Sequence, residues 1–257
     1  MTLPAQEAAL YAEARSLMDW NARNPFCAGC GYPTLSVHGG WKRTCPPTDL
    51  AGSTNSTSAG VIGSTDPTSQ AGEEQSKNQR PTCATRTGIS NLAFPRTDPT
   101  IIVAVLSPDS SSLLLGRGKR WPPDWYSTLA GFIEPGESVE EATRREVWEE
   151  SGVRLGRVVI HSTQPWPYPA SLMIGAVAQA VQGGDKIDLG HDPELEDAKW
   201  YKIEEVREAL KYRTGGLDEV GSQFKKGELR LPPKTAIANQ LINAVVNGGF
   251  AGGDLKL

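Results

Sequence analysis

The chain has 257 residues, a formal net charge of −4 and 38% hydrophobic residues, enough for one large domain or two small ones with a buried core. An acidic balance gives no broad affinity for nucleic acid or for anionic membranes, and no apolar run approaches the ~18–20 residues of a membrane span.

The first predicted element is a helix over Leu3–Arg23, where Ala, Leu and Met recur at helical spacing with few breakers. No signal-peptide core precedes it, so an intracellular chain is expected. The abrupt start makes residues 1–25 the expected remnant of a longer N-terminal module. The stretch "FCAGCGYPTLSVHGGWKRTC" then alternates strand-like pieces with turn glycines. It holds Cys27-Ala-Gly-Cys30, half of a zinc knuckle, and Cys45; the fourth cysteine is Cys83. Cys45 and Cys83 are not a close pair, so spacing leaves zinc and disulfides open; an intracellular setting disfavours disulfides. From Pro46 to Thr82 the composition shifts to Ser, Thr, Gly, Pro, Gln and Asn, which predicts a disordered insertion over 46–82.

Order is expected to return at "CATRTGISNLAFPRTDP" and to continue into a buried strand over Thr100–Ser107. Pro108-Asp109-Ser110 reads as a hairpin turn leading into a second strand, "SSLLLGRG". Further strands are predicted in "RVVIHSTQPW", "SLMIGAVAQAV" and "DAKWYKI", and helices in "IEEVREALK" and "PKTAIANQLINAVV". Strands with interspersed helices over about 160 residues point to an α/β sandwich.

Between the second and third strands lies a helix over Ser138–Ser151. Ser138 with Glu141 three residues later forms a capping box, Gly152 supplies a stop, and Glu140/Arg144 and Glu141/Arg145 are spaced as ion pairs. Glu146, Glu149 and Glu150 lie at i, i+3 and i+4, so three like charges share one helix face. Such a run is ordinarily a solvated face. Here a glycine-rich loop, "AGFIEPGE", leads into it, and hard divalent cations bind carboxylates together with substrate phosphates, which would remove the repulsion.

"GFIEPGESVEEATRREVWEESGV" fits the Nudix box at all nine fixed positions: Gly131, Glu137, Arg145, Glu146, Val147, Glu149, Glu150, Gly152 and Val153. The chain therefore resembles the Nudix hydrolase superfamily, which implies an α/β/α sandwich with a mixed sheet. It also implies Mg²⁺- or Mn²⁺-dependent hydrolysis of nucleoside diphosphates linked to another moiety. By the same resemblance Glu146 and Glu150 are metal ligands, with Glu149 a ligand or base. Gly131, Glu137, Arg145 and Gly152 hold loop and helix in place. Bound metals would act as Lewis acids and activate a water for attack on phosphorus.

"TQPWPYPAS" (Thr163–Ser171) reads on its residues alone as a stiff packed loop. It resembles the S-Q-P-W-P-F-P-x-S signature of the zinc-ribbon NADH pyrophosphatase branch, with Thr163 and Tyr168 as mild departures. That resemblance implies that Gln164, Trp166, Pro167, Tyr168 and Ser171 meet a dinucleotide. It further implies Glu194 as a downstream metal ligand (Glu196 being its neighbouring competitor) and the Ala130 carbonyl as another. Phe94 and Phe132 would stack on bases, and Ala238 would contact substrate. The branch carries a four-cysteine Zn²⁺ ribbon, which gives a division into a ribbon over 26–93, interrupted by 46–82, and a Nudix domain over 94–257. A flexible insertion between the third and fourth ligands adds closure entropy only slowly with length.

The expected activity is cleavage of NADH, and of NAD, to AMP and nicotinamide mononucleotide, with removal of NAD caps from RNA. A homodimer without membrane attachment is expected. The ending Leu255-Lys256-Leu257 resembles a peroxisomal address only weakly, so the compartment is cytoplasmic or peroxisomal. One alternative is a Nudix hydrolase of ADP-ribose or other nucleoside diphosphate derivatives. Another is a non-catalytic ribbon module that binds RNA, against which the intact glutamates argue.

Overall fold

In the computed structural model the apolar run at Thr100 becomes the centre of a mixed sheet. The structure describes residues 3–49, 79–88, 91–219 and 224–247. They fall into two units, Met1–Arg96 and Thr97–Leu257.

The first unit holds α1 (Ala5–Arg23), β1 (Leu35–Val37), β2 (Lys42–Thr44), α2 (Ala84–Thr87) and β3 (Leu92–Ala93). The strands form an antiparallel sheet in the order β1-β2-β3. Arg43 on β2 donates to the Asn21 Oδ1 of α1 at 2.9 Å and to the Thr34 Oγ1 at 2.7 Å, tying helix to sheet. Pairing extends into the stretch whose composition predicts disorder. Thr48 forms an antiparallel bridge with Gln79, the Arg80 N–H donates to the Pro47 carbonyl at 2.9 Å, and Arg80 pairs with Asp49. Backbone hydrogen bonding needs no apolar side chain, so composition does not register it. The rest of the expected insertion, 50–78, lies outside the described residues, as does the Leu255–Leu257 ending.

The second unit contains β4 (Asp98–Leu106), β5 (Ser112–Gly118), β6 (Leu129–Phe132), α3 (Val139–Ser151), β7 (Leu155–Trp166), β8 (Ser171–Ala180), β9 (Leu195–Lys202), α4 (Ile203–Tyr212) and α5 (Ile237–Val246). Strand order is β7-β8-β4-β5-β9, with β6 paired to the first half of β4; β4 and β8 are parallel and the other pairs antiparallel. Alternate residues of β4 enter two cores. Ile101, Val103 and Val105 pack with Ala142 and Val147 of α3, and Ile102 and Ala104 pack with residues of α4 and α5. A strand buried on both faces reads as a continuous apolar run. The result is the expected α/β/α sandwich.

Two expectations change. "TQPWPYPAS" is not a separate loop: β7 runs through to Trp166, β8 starts at Ser171, and the turn between them holds a cis Tyr168–Pro169 bond. Pro165 is tolerated because β7 is an edge strand, where one row of N–H groups has no partner to lose. Neither expected ion pair on α3 forms. Arg144 donates to the Glu140 and Gly156 carbonyls, the Glu141 carboxylate closes the capping box on Ser138, and Arg145 turns back to Glu137.

Candidate active site

The helix α3 begins and ends as its sequence predicts. Ser138 Oγ accepts from the Glu141 N–H at 3.3 Å, Glu141 Oε2 accepts from the Ser138 N–H at 2.9 Å, and Gly152 caps the other end at φ 72°. The last turn leaves carbonyls without helical partners. The connection between β8 and β9 takes them up: Asp188 N–H donates to the Ser151 carbonyl at 2.8 Å and Asp192 N–H to the Glu149 carbonyl at 3.1 Å. His191 stacks on Trp148, with ring centroids 4.3 Å apart. This hangs the segment "HDPE" beside α3 and carries Asp192 and Glu194 to Glu150.

Glu150, Asp192, Glu194, Ala130 and Thr128 line one cleft of about 820 Å³. The Glu150 side chain is almost wholly buried and its Oε2 has no hydrogen-bond partner; Thr128 Oγ1, also buried, has none. Burial, and then the neighbouring charges of Glu146, Glu194, Asp192 and Glu149, push the Glu150 carboxyl up to about 8. A buried, unpartnered carboxylate oxygen among like charges fits a divalent cation, which takes oxygen ligands and relieves the repulsion.

Glu146 and Glu149 are held differently. The Arg145 guanidinium makes five hydrogen bonds: to both Glu137 oxygens at 2.6 and 2.7 Å, to Glu146 Oε1 at 2.8 Å, to Glu149 Oε2 at 2.9 Å and to the Phe132 carbonyl at 2.8 Å. It thereby ties the loop before α3 to the helix and holds the Glu137 carboxyl down at about 2. The contact with Glu146 falls outside the i, i+3 and i+4 spacings that ordinarily pair side chains on a helix, because Arg145 is its immediate neighbour. Burial raises the Glu146 carboxyl above its ordinary value, opposed by Arg145. Gly131, opposite Ile101 on β4, is required for space: a Cβ there would lie 2.0 Å from the Glu146 Cδ.

Of the two downstream acids, Glu194 lines the cleft, whereas Glu196 pairs with Arg117 at 2.7 Å. Asp192 and Thr128 are members that sequence reading missed; the run "HDPELED" was the available signal for the first. Phe132 is exposed at the end of β6. Along β4 it pairs with Thr100, two residues from Asp98, which pairs with Ser171, so Phe132 and the β7–β8 turn lie at the same end of the sheet. Trp166 and Tyr168 are exposed there, ring edge to ring face at 5.6 Å, with Pro167 half-buried between them.

Gln164, Ser171 and Ala238 are enclosed by the chain, whereas Phe94 is open. Gln164 gives its amide to the chain rather than to open space: Oε1 accepts from the Ile237 N–H at 2.8 Å and Nε2 donates to the Thr235 carbonyl at 2.9 Å. It caps α5, whose own N-cap residue, Ala236, has no side chain able to do so. The Ser171 residue is buried, and Ala238 contributes its methyl to the core formed with α5, because it falls on the helix face turned to the sheet. Phe94 lies in the first unit, exposed, with the Lys42 Nζ 3.7 Å from its ring centre.

In the first unit Cys27, Cys30, Cys45 and Cys83 bring four sulfurs within 4.8 Å of one another. The Cys27–Cys83 and Cys30–Cys45 sulfurs are 3.7 and 3.6 Å apart, and all four thiols are free. A tetrahedral zinc with bonds of about 2.3 Å separates its sulfurs by about 3.8 Å. Cys83 thus joins the cluster despite its distance in sequence, and the Thr48–Gln79 bridge shows how: it closes the chain on either side of the inserted stretch.

Residues 96–220 match the NUDIX domain family, so the chain carries a Nudix domain. Residues 22–52 match the NADH pyrophosphatase zinc ribbon domain, so a ribbon of that family precedes the Nudix domain. Among curated proteins it is 39% identical over 242 residues to NAD-capped RNA hydrolase NUDT12 of Macaca fascicularis, covering 94% of this chain and 42% of that protein. It is 38% identical over 245 residues to NAD-capped RNA hydrolase NPY1 of Saccharomyces cerevisiae, covering 93% and 55%. It is 32% identical over 241 residues to the mitochondrial NAD(P)H pyrophosphatase NUDT13 of Homo sapiens, again covering 93% and 55%. The chain thus spans about half the length of the curated relatives it matches.

Proposed function

We propose that the protein is a metal-dependent pyrophosphohydrolase that cleaves NADH and NAD to AMP and nicotinamide mononucleotide and removes NAD caps from RNA. The observation that carries this reading is the buried, unpartnered Glu150 oxygen facing a cleft shared with Asp192 and Glu194. The names of the relatives support the choice of dinucleotide. Glu146, Glu150, Glu194 and the Ala130 carbonyl would hold Mg²⁺ or Mn²⁺, which when bound polarises the phosphoryl oxygens and lowers the pKa of an attacking water. The carboxylates Glu146, Glu149 and Glu150 form the catalytic group, one of them accepting the proton of that water. Arg145 keeps Glu146 and Glu149 oriented before substrate arrives, which spares reorganisation during the reaction. Phe132, Trp166 and Tyr168 offer exposed rings to the bases. In the first unit the four cysteines would hold Zn²⁺ in a closed site that serves folding.

Product analysis with NADH, NAD and NAD-capped RNA, each under Mg²⁺ and under Mn²⁺, tests the reading; absence of AMP and of cap removal rejects it. Gly131→Ala should lower kcat about 100-fold, because displacing a positioned group by about 1 Å has that effect. It should cost only about 1–3 kcal/mol of stability through overpacking. An unchanged kcat would show that the position of Glu146 is not needed.

We also propose a homodimer, checked by sedimentation at twice the 27.6 kDa chain mass, and residence in the cytoplasm or peroxisome, checked by imaging a tagged chain. Among the described residues no helix is long and apolar enough to cross a membrane.

A further inference from the structure

We infer that Lys119, Arg120 and Trp121 form a subsite for a phosphate carried on the adenosine ribose of the substrate, beyond the diphosphate that is cut. This rests on the dinucleotide reading above. The three residues follow β5 and line the same cleft as Glu150, Asp192 and Glu194. The lining of this one cleft therefore combines acidic and basic groups.

The aromatic member of this group is fixed and its cations are unspent. The Trp121 N–H donates to the Gly118 carbonyl at 3.0 Å, and its ring lies so close over Gly118 that a Cβ there would be 3.4 Å away. The ring also packs edge-on against Trp125 at 4.7 Å. Trp125 is buried and donates its indole N–H to the Gly215 carbonyl at 3.0 Å. The indole face is thus held in place. Beside it, Lys119 and Arg120 are exposed, and among the described residues neither side chain makes a hydrogen bond or ion pair. Arg117, Arg145, Arg213 and Arg230 of the same unit are all engaged with carboxylates or carbonyls.

A fixed aromatic face beside unpaired cations suits a nucleotide, the ring taking the base or sugar and the cations its phosphate. The acidic residues would provide for the scissile diphosphate through the cations they hold. The exposed pair is left over for a further anionic group on the substrate. A phosphate on the adenosine ribose answers that description in two chemistries: the 3′-phosphodiester of a capped RNA and the 2′-phosphate of NADPH.

The test compares kcat/KM for NADH, NADPH and an NAD-capped oligoribonucleotide in the wild-type chain and in the K119A/R120A double variant. Both positions are exposed, so the thermal melt should not move. The expected result is a change within about twofold on NADH and a loss of at least about tenfold on a substrate bearing the extra phosphate. Loss confined to the capped RNA identifies the 3′-phosphodiester as the group bound, and loss confined to NADPH identifies the 2′-phosphate. Equal losses on all three would assign the cations to the diphosphate and overturn the inference, as would no loss on any. If the wild-type chain releases nicotinamide mononucleotide, oxidised or reduced, from none of the three, the dinucleotide reading itself fails and takes the subsite with it.

Discussion

Glu150→Gln should lower kcat by about 1,000-fold or more while making the metal-free protein more stable. The first effect follows from losing an anionic ligand at a site where the cation supplies several kcal/mol of transition-state stabilisation. The second follows from burial: Glu150 is 6% exposed, with one oxygen unpartnered and four acidic neighbours. An uncharged amide escapes most of that penalty, worth about 1–3 kcal/mol. The pH dependence has a defined sign. The carboxyl is raised to about 8 in the folded chain from an ordinary 4.5, so folding takes up a proton between those values. Stability is therefore fully present below about 4.5 and declines as pH rises towards 8. The advantage of Glu150→Gln in Tm should be small at pH 5 and widest near pH 8. Added Mg²⁺ should raise the Tm of the wild-type chain and leave the variant unmoved. Full turnover by the variant would remove Glu150 from the ligand set.

Cys83→Ser should release zinc and unfold the first unit, leaving the second folded. A closed thiolate site contributes its binding energy to folding outright, and here few apolar residues share the load: the buried cluster at its centre is Cys27, Cys45 and Cys83, with Cys30 packed against it. Wild-type protein should carry one zinc per chain, and a strong chelator should reproduce the effect of the substitution. Metal analysis decides the matter, since a Cys83→Ser protein that keeps one tightly held zinc would show that the fourth ligand lies elsewhere. Hydrogen exchange separates the two units: protection should fall within Met1–Arg96 and persist over Thr97–Leu257.

Much of the second unit was legible because its signals are local. The continuous apolar run at Thr100, the capping box at Ser138 and the glycine stop at Gly152 each lie within a few residues and determine an element on their own. The zinc ligands were harder. Cys27 and Cys30 share one turn, but Cys83 is separated from Cys45 by a stretch whose composition hides the Thr48–Gln79 bridge. The proline-rich segment misled in the other direction. Prolines ordinarily interrupt a strand, and only the edge position of β7 makes Pro165 harmless.

By itself, then, the sequence determined the Nudix box, the order of strands and helices in the second unit apart from β6, and the identity of the carboxylates that share one face of α3. Those follow from helical and strand periodicity and from fixed spacing. Tertiary structure decided which of these groups meet. It placed Glu194 in the cleft and turned Glu196 to Arg117, brought in Asp192 and Thr128, and spent Gln164 on capping α5. It also brought Lys119 and Arg120 into the same cleft as the acids. Each of those outcomes depends on which face a side chain takes in a sheet or on a partner some 30–80 positions away. No local pattern encodes either, because pairing across the sheet is chosen by the whole core at once.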